Sequence, residues 1–122
     1  MKINPRLKQD IGKYKEYVII VEGKKDVSSL KALGFEKVFP IHQTSIPLRQ
    51  SVEEIILKTE KKDKICILTD FDKRGKKLYM ELKPIFQELG AHLDSTLRGI
   101  ILKAGISHIE GLHKFIQKVE DS

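Results

Sequence analysis

Three short apolar runs, each followed by a stretch with helical spacing, constrain this chain more than any other feature. Residues 17–21 (YVIIV), 37–41 (KVFPI) and 64–69 (KICILT) are apolar at successive positions rather than at alternate ones. An alternating strand keeps one face wet, whereas a continuous apolar run predicts a strand buried on both faces. After the first run, Val27, Leu30 and Leu33 fall on one helix face, with Gly34 as the stop. After the second, Ser45 and Pro47 read as the cap and first turn of a helix carrying Leu48, Val52, Ile55 and Ile56. After the third, Leu78, Leu82, Ile85 and Leu89 form a stripe on a helix that Pro84 should kink and Gly90 should close. Residues 91–95 predict a short fourth strand and 97–103 a turn or two of helix. Residues 107–119 predict a final amphipathic helix with Ile109, Leu112, Ile116 and Val119 inward. Pro40 places the second strand at an edge or ends it early.

This alternation predicts an α/β fold of Rossmann-like type. It would have about four strands in a mainly parallel sheet, helices on both faces and right-handed crossovers. With 122 residues there is room for one domain, residues 16–120 forming its core and 1–15 an N-terminal extension.

Composition narrows the setting. Hydrophobic residues make up 40% of the chain, which is globular rather than disordered. The net charge of +6 suits a polyanionic partner, although a solvated lysine-rich surface gives the same value. Abundant Lys, Glu and Ile with no Trp lean toward a heat-adapted source. A single cysteine, Cys66, excludes an intrachain disulfide and fits a reducing interior; its place inside an apolar run marks it as a small buried hydrophobe. No apolar run nears the roughly 18–20 residues that span a bilayer, and the N-terminal stretch lacks an apolar signal core. The expectation is a cytoplasmic protein with no membrane association.

Two of the predicted strands end in acids at the same sheet edge: Glu22 after the first, Asp70 and Asp72 after the third. Ligands of parallel α/β sheets bind at the carboxyl ends of the strands. An i, i+2 pair on extended backbone projects to one side, and two such carboxylates repel unless a cation lies between them. Mg²⁺ suits such a pair, because it takes one or two carboxylates and completes its shell with water and phosphate oxygens. Mn²⁺ is the alternative, and Glu22 could add a ligand or act as acid/base. The plainer reading is that strand-end Asp residues form turns and that Asp72 caps the next helix. Lys73, Arg74, Lys76 and Lys77 follow at once, and Lys24 and Lys25 stand beside Glu22. Cations at a helix start oppose its dipole, so local stability does not explain them. They read either as contacts to a nucleic-acid backbone or as solvated lysines.

These residues resemble the Toprim family, the domain shared by topoisomerases, bacterial primases, the 5S ribosomal RNA maturase and OLD-type nucleases. The resemblance rests on VIIVEG (residues 18–23) and ILTDFDKRG (residues 67–75), and the element order extends it over about residues 15–120. The chain is most similar to small stand-alone archaeal Toprim proteins. It lacks room for a topoisomerase's tyrosine-bearing domain or a primase's zinc domain. The resemblance implies a divalent metal on Asp70 and Asp72, with Glu22 as ligand or acid/base. It further implies phosphodiester chemistry on RNA or DNA, of nuclease type, or else a binding module that is catalytic only with a partner protein. Monomer and homodimer are both compatible with the sequence.

Other residues read more plainly. Ser107 and Glu110 fit a helix capping box. Asp94 reads as a strand-end acid with a possible role beside the metal, and Arg98 as a surface ion pair or a phosphate contact. Tyr79 reads as packing rather than a nucleophile. The four histidines, His42, His92, His108 and His113, show no zinc-ligand spacing, though His42 would stand at the site edge. Gly23 and Gly75 read as turn glycines that let backbone approach a ligand.

Overall fold

The computed structural model describes residues 4–41 and 45–121. Its elements in chain order are α1 (Leu7–Gly12), β1 (Val18–Val21), α2 (Lys24–Ala32), β2 (Val38–Pro40), α3 (Leu48–Leu57) and β3 (Lys64–Ile67). There follow α4 (Lys73–Glu88), β4 (His92–Leu93), α5 (Thr96–Lys103), a 3-10 turn (Ile109–Gly111) and α6 (Leu112–Asp121). The sheet has the order β2-β1-β3-β4, and every neighbouring pair is parallel. Pro40 lies on the edge strand β2, where its missing N–H costs no ladder bond.

The continuous apolar runs are explained by the two layers they separate. Ile19, Val21, Cys66 and Leu68 face one core, shared with Leu7, Ile11, Leu30, Leu97, Ile101, Leu112 and Ile116 of α1, α2, α5 and α6. Val18, Ile20, Ile65 and Ile67 face the other, against Val52, Ile55, Leu78, Leu82 and Phe86 of α3 and α4. Alternate side chains therefore serve different cores, and both sets are apolar. The chain passes from β1 to β2 by α2 on the first face, then back past β1 to β3 by α3 on the second. The reversal of direction with the change of face keeps one crossover hand.

Several sequence expectations are corrected. Within the N-terminal extension lies a helix that the sequence reading did not predict, α1, whose Leu7 and Ile11 are 2% and 1% exposed in the first core. The helix after β2 starts at Leu48 with Pro47 at its cap position and no side-chain cap, so Ser45 does not serve there. The final helix begins as a separate 3-10 turn, and the Ser107/Glu110 box does not form. Ser107 Oγ bonds His108 Nδ1 at 2.9 Å, while the Ile109 N–H is taken by Asp70. α4 continues through Pro84 to Glu88. Gly34 and Gly90, at φ +96° and +79°, end α2 and α4 as the sequence predicts. Among the described residues no helix is long and apolar enough to cross a membrane.

Candidate metal centre

The switch point of this sheet lies between β1 and β3, whose following helices leave to opposite faces. Glu22 emerges there from β1. Asp70 and Asp72 emerge from β3, beyond Leu68 and Thr69. Backbone amides hold each acid. Glu22 Oε2 accepts the Asp70 N–H at 2.8 Å, and Asp70 Oδ1 accepts the Ile109 N–H at 2.8 Å. Asp72 Oδ1 accepts the Gly75 N–H at 2.7 Å, so Asp72 does cap α4. Its second oxygen lies 3.4 Å from His108 Nε2. Metal ligation and helix capping are thus compatible, because a carboxylate has two oxygens.

A further acid belongs to the group. Asp26, in the first turn of α2, is 6% exposed and accepts the Gly23 N–H at 3.0 Å. The sequence reading missed it because an acid in a helix's first turn is explained by the helix itself. No Lys or Arg side chain among the described residues comes within ion-pair distance of Glu22, Asp26, Asp70 or Asp72.

This crowding shows in the proton affinities. Burial pushes the Glu22 carboxyl up; the Asp70 amide opposes it, and the charges of Asp70, Asp26 and Asp72 add to it. Burial also pushes Asp26 up, opposed by the Gly23 amide and reinforced by Asp70 and Glu110. A carboxyl raised in the folded state favours folding at low pH, and that contribution is lost as pH rises through its folded value. Asp26→Asn, which keeps an oxygen for the Gly23 N–H, is therefore expected to raise the Tm of cation-free protein by a few degrees at pH 7.5. The gain should vanish near pH 3.5, as followed by circular dichroism melts; an equal gain at both pH values would refute the electrostatic origin.

The donors suit a divalent cation. Ligand atoms of Asp70, Asp72 and His108 all lie within 4.8 Å of one another. An octahedral ion with bonds near 2.1 Å sets adjacent ligand atoms about 3 Å apart and opposite ones about 4.2 Å apart, so the side chains would close in on a bound ion. Sequence spacing gave no sign of His108, because its segment reaches the site only through tertiary contacts. The Phe71 N–H donates to the Ser107 carbonyl at 2.9 Å, alongside the Ile109–Asp70 bond.

Lys24 and Lys25 stand exposed at the start of α2, and Lys73, Arg74, Lys76 and Lys77 stand exposed in the first turns of α4. None of the six forms an ion pair among the described residues. The two glycines differ. A Cβ on Gly75 would lie 2.1 Å from the Asp70 carbonyl oxygen, whereas one on Gly23 meets nothing within 4 Å. Gly75 is thus required by packing; at Gly23, open space adjoins the acids.

Arg98 forms no ion pair among the described residues. Its guanidinium lies between the rings of Phe71 and Tyr79, at 4.5 and 4.3 Å from their centroids. It donates to the Thr69 carbonyl at 2.7 Å and makes 3.5 Å contacts to those of Ile67 and Asp70. Tyr79 is accordingly packing. Asp94 accepts from Tyr17 Oη and the Thr96 N–H and stays outside the acidic cluster. Glu110 is exposed beside α2, where its charge acts on Asp26. Burial pushes the Cys66 thiol up to about 12, which leaves it inert. His42 lies outside the described residues.

A doubly wound parallel sheet with a carboxylate cluster at its switch point defines an α/β domain with a place that could hold a cation. Residues 17–101 match the Toprim domain, and the chain belongs to that family. It is 36% identical over 106 residues to a UPF0292 protein of Methanocaldococcus jannaschii, covering 84% of this chain and 80% of the relative. It is 31% identical over 124 residues to a UPF0292 protein of Methanosarcina barkeri, covering 93% and 82%. A solved protein structure from Aquifex aeolicus superposes with a TM-score of 0.71 at 24% identity, covering 90% of this chain and 98% of that one, which supports the fold alone. Membership brings the family's general character: Toprim domains bind divalent metal and take part in metal-dependent chemistry on nucleic acid.

Proposed function

We propose that the protein is a divalent-metal-dependent nuclease acting on RNA or DNA, with Glu22, Asp70 and Asp72 as its catalytic set. The observation that carries this reading is the convergence of Glu22, Asp26, Asp70 and Asp72 at the switch point with no Lys or Arg within ion-pair distance among the described residues, in a chain of net charge +6. A bound Mg²⁺ or Mn²⁺ would neutralise the acids and polarise a phosphodiester. Asp70 and Asp72 would hold the cation, each fixed by a backbone amide. Glu22 keeps Oε1 without a hydrogen bond among the described residues. With its carboxyl raised by burial, it is suited to receive or deliver a proton at a phosphate-ester oxygen. Lys24, Lys25, Lys73, Arg74, Lys76 and Lys77 frame the acids from two helix starts and would draw in the nucleic-acid backbone.

The test is cleavage of labelled single- and double-stranded RNA and DNA with Mg²⁺, with Mn²⁺ and with chelator. Wild-type protein should cleave at least one substrate in either metal. Asp70→Ala and Glu22→Gln should each lower the rate by about a thousandfold, the equivalent of roughly 4 kcal/mol of transition-state stabilisation. Cleavage that survives chelator or both substitutions would refute the assignment. Metal-dependent nucleic-acid binding without turnover would move the chemistry to a complex with a partner protein.

A further inference from the structure

We infer that His108 is a metal ligand of this site and that its nitrogen sets the site's preference for a first-row transition ion such as Mn²⁺ over Mg²⁺. The inference rests on the proposed reading that the Asp70/Asp72 cluster holds a divalent cation, and it adds the identity of that cation.

The case is geometric. Residues 107–109 are strapped to residues 70–71 by one backbone hydrogen bond, Phe71 N–H to the Ser107 carbonyl at 2.9 Å, and one from backbone to side chain, Ile109 N–H to Asp70 Oδ1 at 2.8 Å. The strap owes nothing to the imidazole, yet it delivers the ring to the two acids. His108 Nε2 lies 3.4 Å from Asp72 Oδ2, and ligand atoms of all three side chains fall within 4.8 Å. The other ring nitrogen, Nδ1, stands 2.9 Å from Ser107 Oγ. When Nδ1 carries the proton and donates it to Ser107 Oγ, Nε2 presents a bare lone pair toward the carboxylates. Ligating histidines are generally oriented in this way by a partner on the far nitrogen. The His108 side chain is half exposed, at 51%, which leaves the cation open positions for water and substrate.

The chemical consequence follows from the donor set. Mg²⁺ is a hard ion served by oxygens and water and gains little from an imidazole; Mn²⁺ is also served chiefly by oxygens, but it begins the first-row series in which affinity for mixed nitrogen and oxygen sites rises through Fe²⁺ to Cu²⁺, so an imidazole adds more to it than to Mg²⁺. Two carboxylates alone would serve either kind of ion. Two carboxylates and an imidazole favour the transition metal.

The test uses the full chain and the metals alone. Mn²⁺ and Mg²⁺ affinities are measured by calorimetry and by competition followed in the Mn²⁺ electron paramagnetic resonance signal. Wild type, His108→Gln and Asp70→Asn are compared, and melts confirm that each variant is folded. The substitution at His108 leaves both strapping bonds in place, since they use backbone atoms of its neighbours and the Asp70 carboxylate. His108→Gln should weaken Mn²⁺ about tenfold while changing Mg²⁺ by less than about twofold, in line with the usual weight of a single ligand contact. Electron spin echo modulation should show imidazole nitrogen coupled to Mn²⁺ in wild type and not in His108→Gln. Asp70→Asn should weaken both metals. Absent nitrogen coupling, or an unchanged Mn²⁺-to-Mg²⁺ ratio in His108→Gln, would overturn the role of His108 and leave the acidic metal site standing. Failure of wild type to bind either ion would overturn this inference together with the reading on which it rests.

Discussion

Gly75→Ala is expected to lower the Tm by about 10 °C or more, the equivalent of roughly 3 kcal/mol for a chain of this size. Gly23→Ala should leave Tm within about 2 °C of wild type. Both glycines follow an acid of the site, but only one is enclosed. Gly75 donates its N–H to Asp72 and accepts the Thr69 hydroxyl at 2.7 Å on its carbonyl. A Cβ there would stand 2.1, 2.6 and 2.9 Å from the oxygen, carbonyl carbon and Cα of Asp70. Those are backbone atoms, so no side-chain rotation relieves the clash. Either α4 must back away from β3, or the segment bearing Asp70 must yield. In both cases the two aspartates lose their relation to one another, so cation affinity should fall along with Tm. Thermal melts and metal titration of the two variants check this directly. A Gly75→Ala protein with wild-type stability and affinity would show that the contact between α4 and residue 70 is looser than described.

The sheet was legible because its strands are uniform. A strand with both faces buried leaves no phase to misjudge, and β1 and β3 appear in the sequence as plain apolar runs. Glu22, Asp70 and Asp72 were legible for a related reason: a parallel sheet places the residues that end its strands at one edge. Side chains that reach the site from elsewhere were not. Asp26 looked like an ordinary first-turn acid. His108 arrives through a backbone strap that leaves no periodic trace. That same strap defeats the apparent Ser107/Glu110 box, because Asp70 takes the Ile109 N–H across the fold. α1 was missed because its contribution rests on two buried positions, Leu7 and Ile11, among polar neighbours. Arg98 was misread through its charge: an arginine between two rings is buried at its plane while its N–H groups find carbonyls.

Arg98→Ala should cost about 3 kcal/mol, a Tm loss of about 10 °C, and should weaken the binding of Mn²⁺ and Mg²⁺ alike. Removing the guanidinium leaves the Thr69 carbonyl without its 2.7 Å donor and opens a gap between Phe71 and Tyr79. Both losses fall on the turn that carries Asp70 and Asp72, since Phe71 separates them. Burial pulls the proton affinity of Arg98 down, and Tyr79, Cys66 and, more weakly, the acids Glu22 and Asp70 act against it through space. Arg98 therefore fixes the turn by hydrogen bonds and tempers the repulsion above it without occupying a place among the ligands. Arg98→Lys separates these two contributions. Lysine restores the charge but has neither the plane to stack between two rings nor the fork to span successive carbonyls. If geometry dominates, Arg98→Lys should stay close to Arg98→Ala in both Tm and cation affinity. If charge dominates, Arg98→Lys should recover most of the affinity while Tm stays low. The guanidinium makes one strong hydrogen bond and two ring contacts, and no carboxylate lies within ion-pair distance of it among the described residues, so geometry is the expected winner.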